Sequence, residues 1–248
     1  MKLHLFWYEC KNCKKIFKSP ELCGDGYGEF LFFDESGNMT YLNSFTDSAF
    51  DEVTAIFRGI ITEQERNNTS LYLKLFSPVL IATCDLSPTN QIYQMRKPFC
   101  PICKKINIGH FGPTNPPEFV QMEIPNATHH AWDQLSDNEK RSLVEKIIEE
   151  TRKKTKKTLI GKVKSFIADL DAKKPPKDSF EILLRDQLQN YLVELEKPNN
   201  DERVKVVAKS FGSFYRNFYF ENKGGLDWSD PLLIRCSEIM SLNLKNGL

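Results

Sequence analysis

The heptapeptide Phe99-Cys100-Pro101-Ile102-Cys103-Lys104-Lys105 has a counterpart near the start of the chain, Glu9-Cys10-Lys11-Asn12-Cys13-Lys14-Lys15. Each contains a C-x-x-C followed by two lysines. Two residues between the cysteines let one tight turn direct both sulfurs at a single metal ion. Two such turns supply the four thiolates of a tetrahedral zinc site. Cys10, Cys13, Cys100 and Cys103 are therefore read as the ligands of one zinc ion. Four thiolates leave no position for a reactive water, so the ion is expected to be structural and not catalytic. The 86 residues at positions 14–99 separate the two turns, against ~15–20 in a plain zinc ribbon. They are read as an insertion carried between the halves of a ribbon, so that the metal ties the start of the chain to its middle. Cys23 and His110 stand close enough in sequence to replace a ligand, and are read as bystanders. The alternatives for the two pairs are free thiols or a redox role, but neither pair opens a helix in a βαβ pattern.

Upstream of Cys10, residues 3–9 read as a strand, and Ile16-Phe17 as the start of its return. Cys23-Gly24-Asp25-Gly26-Tyr27-Gly28 lacks the spacing of a phosphate-binding loop. Glu29–Phe33 and Met39–Phe45 flank Ser36-Gly37-Asn38 and predict a β-hairpin. Asp47 is placed to cap a helix carrying Phe50, Val53, Ala55, Ile56 and Phe57 for a core. Residues 60–70 read as a loop or frayed helix end. Ser77-Pro78 divides the apolar runs 71–76 and 79–82, and the second run fits a new helix or a buried strand. After the second turn, Gly109–Pro113 and Asn115–Pro117 predict a loop, and Glu118–Ile124 a strand.

Residues 126–248 carry a different pattern. Ser136-x-x-Glu139 is a capping box before a helix with Leu143, Val144, Ile147 and Ile148 on one face. A second helix carries Leu159, Val163, Phe166, Ile167 and Leu170, ending at Lys174-Pro175-Pro176. A third starts at Asp178 with Leu184, Leu188, Tyr191 and Leu195 in a stripe and ends at Pro198-Asn199-Asn200. A fourth spans 201–221, with Val204, Val207, Phe211, Phe214 and Phe218, and stops at Gly224-Gly225. Ser229 and Pro231 start a fifth. The fold class is α+β: a zinc-ribbon-like domain, residues 1–125, with an inserted hairpin and helix, then an α-helical bundle, residues 126–248.

Composition narrows the function classes. With 34 basic and 33 acidic residues the net charge is +1, which gives no bulk attraction to nucleic acid or anionic membranes. No apolar run is long enough to span a bilayer. The N-terminus lacks the apolar core and small-residue cleavage site of a signal peptide. A cytoplasmic location is expected, where cysteines stay reduced and C-x-x-C pairs read as metal ligands.

Other candidate chemistry is sparse. Thr128-His129-His130-Ala131-Trp132 is read as structural: Thr128 caps a short helix, Trp132 enters the core, and the histidines line the junction of the two domains. Arg152-Lys153-Lys154-Thr155-Lys156-Lys157, continuing to Lys162 and Lys164 without an acid, is either a phosphate-binding surface for nucleic acid or a solvated helical segment. Phe214-Tyr215-Arg216-Asn217-Phe218-Tyr219-Phe220 places aromatics around a helix and suggests a partner-binding surface. No nucleophile–base–acid set, kinase signature or nucleotide-binding motif occurs, so no catalytic residue and no small-molecule substrate are assigned.

The run Lys97-Pro98-Phe99-Cys100-Pro101-Ile102-Cys103, with Pro116-Pro117-Glu118-Phe119-Val120 and Thr128-His129-His130-Ala131-Trp132-Asp133-Gln134-Leu135-Ser136, resembles bacterial zinc-ribbon proteins. These are similar to immunity proteins of polymorphic and contact-dependent toxin systems. The resemblance covers roughly the first 150 residues. It implies a cytoplasmic, non-enzymatic antitoxin that binds a cognate toxin protein and occludes its active site or target-binding surface. The alternative from the residues is a zinc-ribbon regulator that binds nucleic acid through the 152–164 run.

Overall fold

The computed structural model describes residues 1–23, 27–95, 98–173, 175, 179–197, 201–223 and 230–244. The glycines at 24 and 26, the expected breaks around 176–178, 198–200 and 224–225, the Ser229 cap and the side chain of Phe218 lie outside the described residues. In chain order the strands are β1 (Lys2–Cys10), β2 (Ile16–Leu22), β3 (Glu29–Phe33), β4 (Met39–Asn43), β5 (Ile108–Pro113) and β6 (Phe119–Gln121). The helices are α1 (Ser48–Ile60), α2 (Glu63–Asn67), α3 (Thr69–Ile81), α4 (His130–Asp133), α5 (Asp137–Ala172), α6 (Phe180–Glu196), α7 (Asp201–Lys223) and α8 (Pro231–Leu244). The chain is thus mixed α/β, with small sheets and a helical C-terminal region. It forms two compact units, one of Met1–Ile60 and Phe76–Ile147, the other of Ile61–Leu75 and Ile148–Leu248. No helix among the described residues is long and apolar enough to cross a membrane.

In the first unit, β1 is the hub of a four-stranded sheet. It pairs antiparallel with β2 on one side and with β5 and β6 on the other. The β3–β4 hairpin is a separate two-stranded sheet. Its turn is fixed by the buried Asp34, whose carboxylate accepts from the Asn38 backbone N–H at 2.8 Å, the Asn38 side chain at 2.7 Å and Thr89 at 2.8 Å. Asp47 caps α1 as expected, accepting from the Phe50 N–H at 2.7 Å. Val53 and Phe57 of α1 are fully buried, and Phe57 and Phe50 both pack on Phe76, with centroids 5.1 and 5.7 Å away.

Four local expectations are corrected. Gly109–Pro113 is strand β5 and not a loop. Its glycines admit close neighbours: a Cβ on Gly112 would stand 3.3 Å from the Trp7 indole nitrogen, and one on Gly109 would stand 3.2 Å from Lys11. Pro78 lies inside α3 and does not start a new element. Leu71, Leu75, Val79 and Leu80 are all buried, so the apolar stripe continues past the proline, which removes only one hydrogen bond. Residues 63–67 form α2, opened by a Thr62–Glu65 capping box. Finally, the two helices expected over 136–170 are one helix of 36 residues, α5. The charged stretch between Ile148 and Leu159 contains no proline or glycine and is mostly good helix formers, so nothing ends the helix there. At its start the Glu139 carboxylate reaches back to Ser136, accepting from its backbone N–H at 2.8 Å and its hydroxyl at 2.6 Å.

The second unit has a helical core. Leu159, Val163, Phe166 and Leu170 of α5 pack with Leu184, Leu188, Tyr191 and Leu195 of α6, with Val204, Ala208 and Phe211 of α7, and with Cys236 and Ile239 of α8. Each fully buried leucine or valine contributes about 1.5–3 kcal/mol relative to exposure. The described aromatics of the 214–220 stretch help to close this core: Phe214 stacks on Phe180 at 5.6 Å and Tyr215 lies 5.7 Å from Phe211.

Candidate metal centre

Two turns of the same geometry bring the four cysteines together. In the first, Lys14 N–H donates to the Cys10 carbonyl at 2.8 Å and Cys10 N–H donates to the Lys15 carbonyl at 2.9 Å. In the second, Lys104 N–H donates to the Cys100 carbonyl at 2.9 Å and Cys100 N–H donates to the Lys105 carbonyl at 3.0 Å. Lys14 and Lys104 both take the left-handed backbone conformation, with φ of 59° and 57°. That conformation is costly for a residue with a Cβ, and its recurrence at the same position marks both turns as one device used twice. The first turn closes the β1–β2 connection. The segment after the second turn is tied to the first, the Lys11 N–H donating to the Asn107 carbonyl at 2.8 Å. A bulge between Tyr8 and Cys10 in the β1–β5 pairing falls beside the site. Bulges re-aim the side chains that follow them.

All four sulfurs lie within 4.8 Å of one another. Cys10 is 3.5 Å from Cys103 and Cys13 is 3.6 Å from Cys100, sulfur to sulfur. A disulfide would need about 2.05 Å. A tetrahedral ion with four thiolates at about 2.3 Å holds its sulfurs about 3.8 Å apart. The cluster therefore fits a metal ion and not a bond, and the close pairs cross between the two turns. Cys10 and Cys100 are wholly buried, while Cys13 and Cys103 are half-buried.

The thiols differ in acidity. The Lys105 backbone N–H beside its sulfur is the main cause holding Cys103 down at about 6, against desolvation. Cys13 receives the equivalent N–H from Lys15, but desolvation and protons shared with Cys100, Cys10 and Cys103 outweigh it and push its thiol up to about 11. Four thiols in so small a space must share protons, and a cation that displaces them removes that conflict.

The structure brings together the four cysteines singled out by spacing. Among the described residues these are the only metal-ligating cluster, so Cys23 and His110 stand outside it. Cys84 and Cys236 are isolated, and burial pushes each thiol up to about 12.

The histidine pair has partners that no local pattern announces. His129 Nδ1 lies 2.8 Å from the Thr83 carbonyl and its Nε2 lies 3.0 Å from Asp47. His130 Nδ1 lies 2.6 Å from Asp85. Asp85, and not Thr128, supplies the cap of α4: its carboxylate accepts from the backbone N–H groups of His130 and Ala131 at 3.1 and 3.0 Å. Although burial opposes ionisation of Asp85, the Ala131 N–H, Thr128 and His130 hold its carboxyl well below the usual range. Trp132 is buried, donating from its indole to Glu52 at 2.7 Å. Glu52 also accepts from the buried Lys140 at 2.8 Å.

The basic run of α5 is largely engaged. Arg152 forms a forked pair with the buried Glu65 at 2.7 Å, and Lys153, Lys162 and Lys164 pair with Glu149, Glu238 and Glu196 at 2.7, 2.7 and 2.6 Å. Comparison of the chain with protein-family models, curated proteins and solved structures gives no match.

Proposed function

We propose that the chain is a non-enzymatic protein-binding module built on a ribbon-like frame with a structural zinc ion. In this reading it acts in the cytoplasm as an immunity protein that occludes the active site or target-binding surface of a cognate toxin. The observation that carries it is the closed four-sulfur centre. The sulfurs of Cys10, Cys13, Cys100 and Cys103 come from two matched turns and lie within 4.8 Å of one another, a set that would suit a tetrahedral zinc ion and leave no position for a reactive water. The centre's role is then to hold a surface in shape, and the resemblance of residues 97–136 to toxin-immunity proteins supplies the kind of partner. The test is recovery of the chain from its native host with metal analysis of the same sample. One zinc per chain and one stoichiometric protein partner is the expected result. Absence of zinc, absence of any stable partner, or turnover of a substrate by the purified chain overturns the reading.

A second reading, a regulator that binds nucleic acid, draws less support from the 152–164 run, four of whose cations are paired. It is favoured instead by the exposed lysines at 11, 14, 15, 104 and 105 around the cluster. Four thiolates on a divalent ion carry a net charge of −2, which explains part of this lysine collar without any ligand. Binding of a DNA duplex at two salt concentrations separates the cases: five phosphate contacts require a slope of log affinity against log salt of about −4.5.

A further inference from the structure

The two cysteine turns carry more positive charge at their surface than the cluster beneath them balances. Lys11, Lys14, Lys15, Lys104 and Lys105 are all exposed. Each stands one or two residues from a cysteine, so its Cα lies within about 7.6 Å of a cysteine Cα. The four sulfurs lie within 4.8 Å of one another, so the five ammonium groups ring one end of the first unit. On the zinc reading, four thiolates on a divalent ion carry a net charge of −2, and the half-buried Glu9 adds one negative charge more. Five lysines exceed that total, and the ring keeps a positive excess. The chain as a whole is nearly balanced, at +1, so the excess is local.

Apolar side chains share this end. Ile16 follows Lys15 and is 68 % exposed, and Ile102 lies between Cys100 and Cys103 and is 59 % exposed. Backbone pairing holds both tips in place. Ile16 is paired with Glu9 across β1 and β2, and the Lys104 N–H donating to the Cys100 carbonyl closes the turn that carries Ile102. Aliphatic groups inside a charged rim match the layout of a protein-binding surface, where apolar contacts supply affinity and rim charges supply steering and selection. Sequence-reading contacts to nucleic acid rely instead on arginine at base edges or on aromatic rings under the bases. Residues 10–16 and 100–106 contain no arginine and no aromatic residue.

We propose that this end of the first unit docks an acidic segment of a protein partner. Aspartate or glutamate side chains of the segment meet the lysine ring, and an adjoining aliphatic or aromatic side chain covers Ile102. The inference rests on the protein-binding reading above and names the chemistry of the partner. Charge complementarity selects the occupant, and the exposed isoleucines select a protein over a nucleic acid.

The test is selection of a random heptapeptide library, displayed on phage, against the zinc-loaded full chain. The selected peptides are expected to be enriched in Asp and Glu beside an aliphatic or aromatic residue. A synthetic copy of one should protect Lys11, Lys15 and Lys105 from acetylation, and should lose at least about tenfold in affinity when its acids are replaced by Asn and Gln. The triple variant K11Q/K15Q/K105Q should show the same loss at an unchanged melting temperature and zinc content. Ile102→Ser should weaken binding without changing its salt dependence. Three lysines neutralised elsewhere, in K153Q/K162Q/K164Q, should leave the affinity within about twofold; an equal loss there would assign the effect to net charge and overturn the proposal. Enrichment of basic or wholly apolar peptides overturns it too, as does enrichment of none, or a DNA duplex bound more tightly than every selected peptide. A native protein partner that binds K11Q/K15Q/K105Q as tightly as the unchanged chain overturns this surface while leaving the protein-binding reading intact. Acidic peptides bound at these lysines with no native protein partner would do the reverse.

Discussion

The unit that carries the four cysteines is held by contacts between residues far apart in the chain, whereas the helical unit is held mainly by side chains repeating at three- and four-residue spacing. In the first, residues 10–13 meet 100–103 at the four-cysteine cluster, Glu52 meets Lys140, and Asp47 meets His129. In the second, Leu184, Leu188, Tyr191 and Leu195 lie along one helix and all are fully buried. A fold built from long-range links loses much when one link is cut. A fold built from a repeated stripe loses about one side chain's worth at a time.

The largest expected effect follows from cutting the link itself. On the zinc reading proposed above, treatment with a chelator, or Cys100→Ser, should unfold the first unit, because structural zinc contributes on the order of 10 kcal/mol where it holds a fold. Helical circular dichroism from residues 159–240 should largely survive. An unchanged melting temperature and zinc content in Cys100→Ser would sink the structural role of the site. Next comes the stripe. Leu188→Ala should cost about 3 kcal/mol by leaving a cavity, read as a shift in the denaturation midpoint, and zinc content should stay at one per chain. Loss of zinc in this variant would show that the two modes of support are not separate.

Glu52→Ala removes the carboxylate shared by Lys140 and the Trp132 indole. It should cost a further about 3 kcal/mol, since it strands a buried ammonium. Glu52→Gln, which keeps an acceptor for the indole, should cost less, and equal losses would mean that charge is not what matters there. The smallest effect is on pH. Burial alone would raise the Asp34 carboxyl, but Ser87, Asn38 and Thr89 outweigh it and hold it at about 2, below its ordinary 3.8. The ionised form therefore stabilises the fold above pH 3.8, and this support is lost as the pH falls toward 2. Its loss should be on the order of 2 kcal/mol, and Asp34→Asn should flatten the acid limb of a stability–pH curve over that window.

The same contrast governs how much of the molecule was legible in the chain. Local patterns carried the cysteine pairs, the 29–43 hairpin and the α6 stripe, because each is specified within a few residues. The Asp47 cap was legible for the same reason. Thr62-x-x-Glu65 is an equally local signal that marks α2, obscured by the Asn67-Asn68 pair behind it. Asn68 in fact begins α3, accepting from the Leu71 N–H at 3.0 Å. The glycines of β5 read as turn residues because their reason, the Trp7 ring against Gly112, lies on another strand. His129 and Asp47 stand 82 positions apart, and no spacing rule connects them.

The separation of the two cysteine turns also sets a clock. A ribosome adding about 5–20 residues per second needs about 5–18 seconds to pass from Cys13 to Cys103. Throughout that interval the first pair is a nascent dithiol with half a coordination sphere, able to oxidise or to take up a metal loosely. On the proposed zinc reading, synthesis in an oxidising compartment would favour closure of Cys10 on Cys13 before their partners exist, so the order of translation would make reduced thiols a condition of loading the metal.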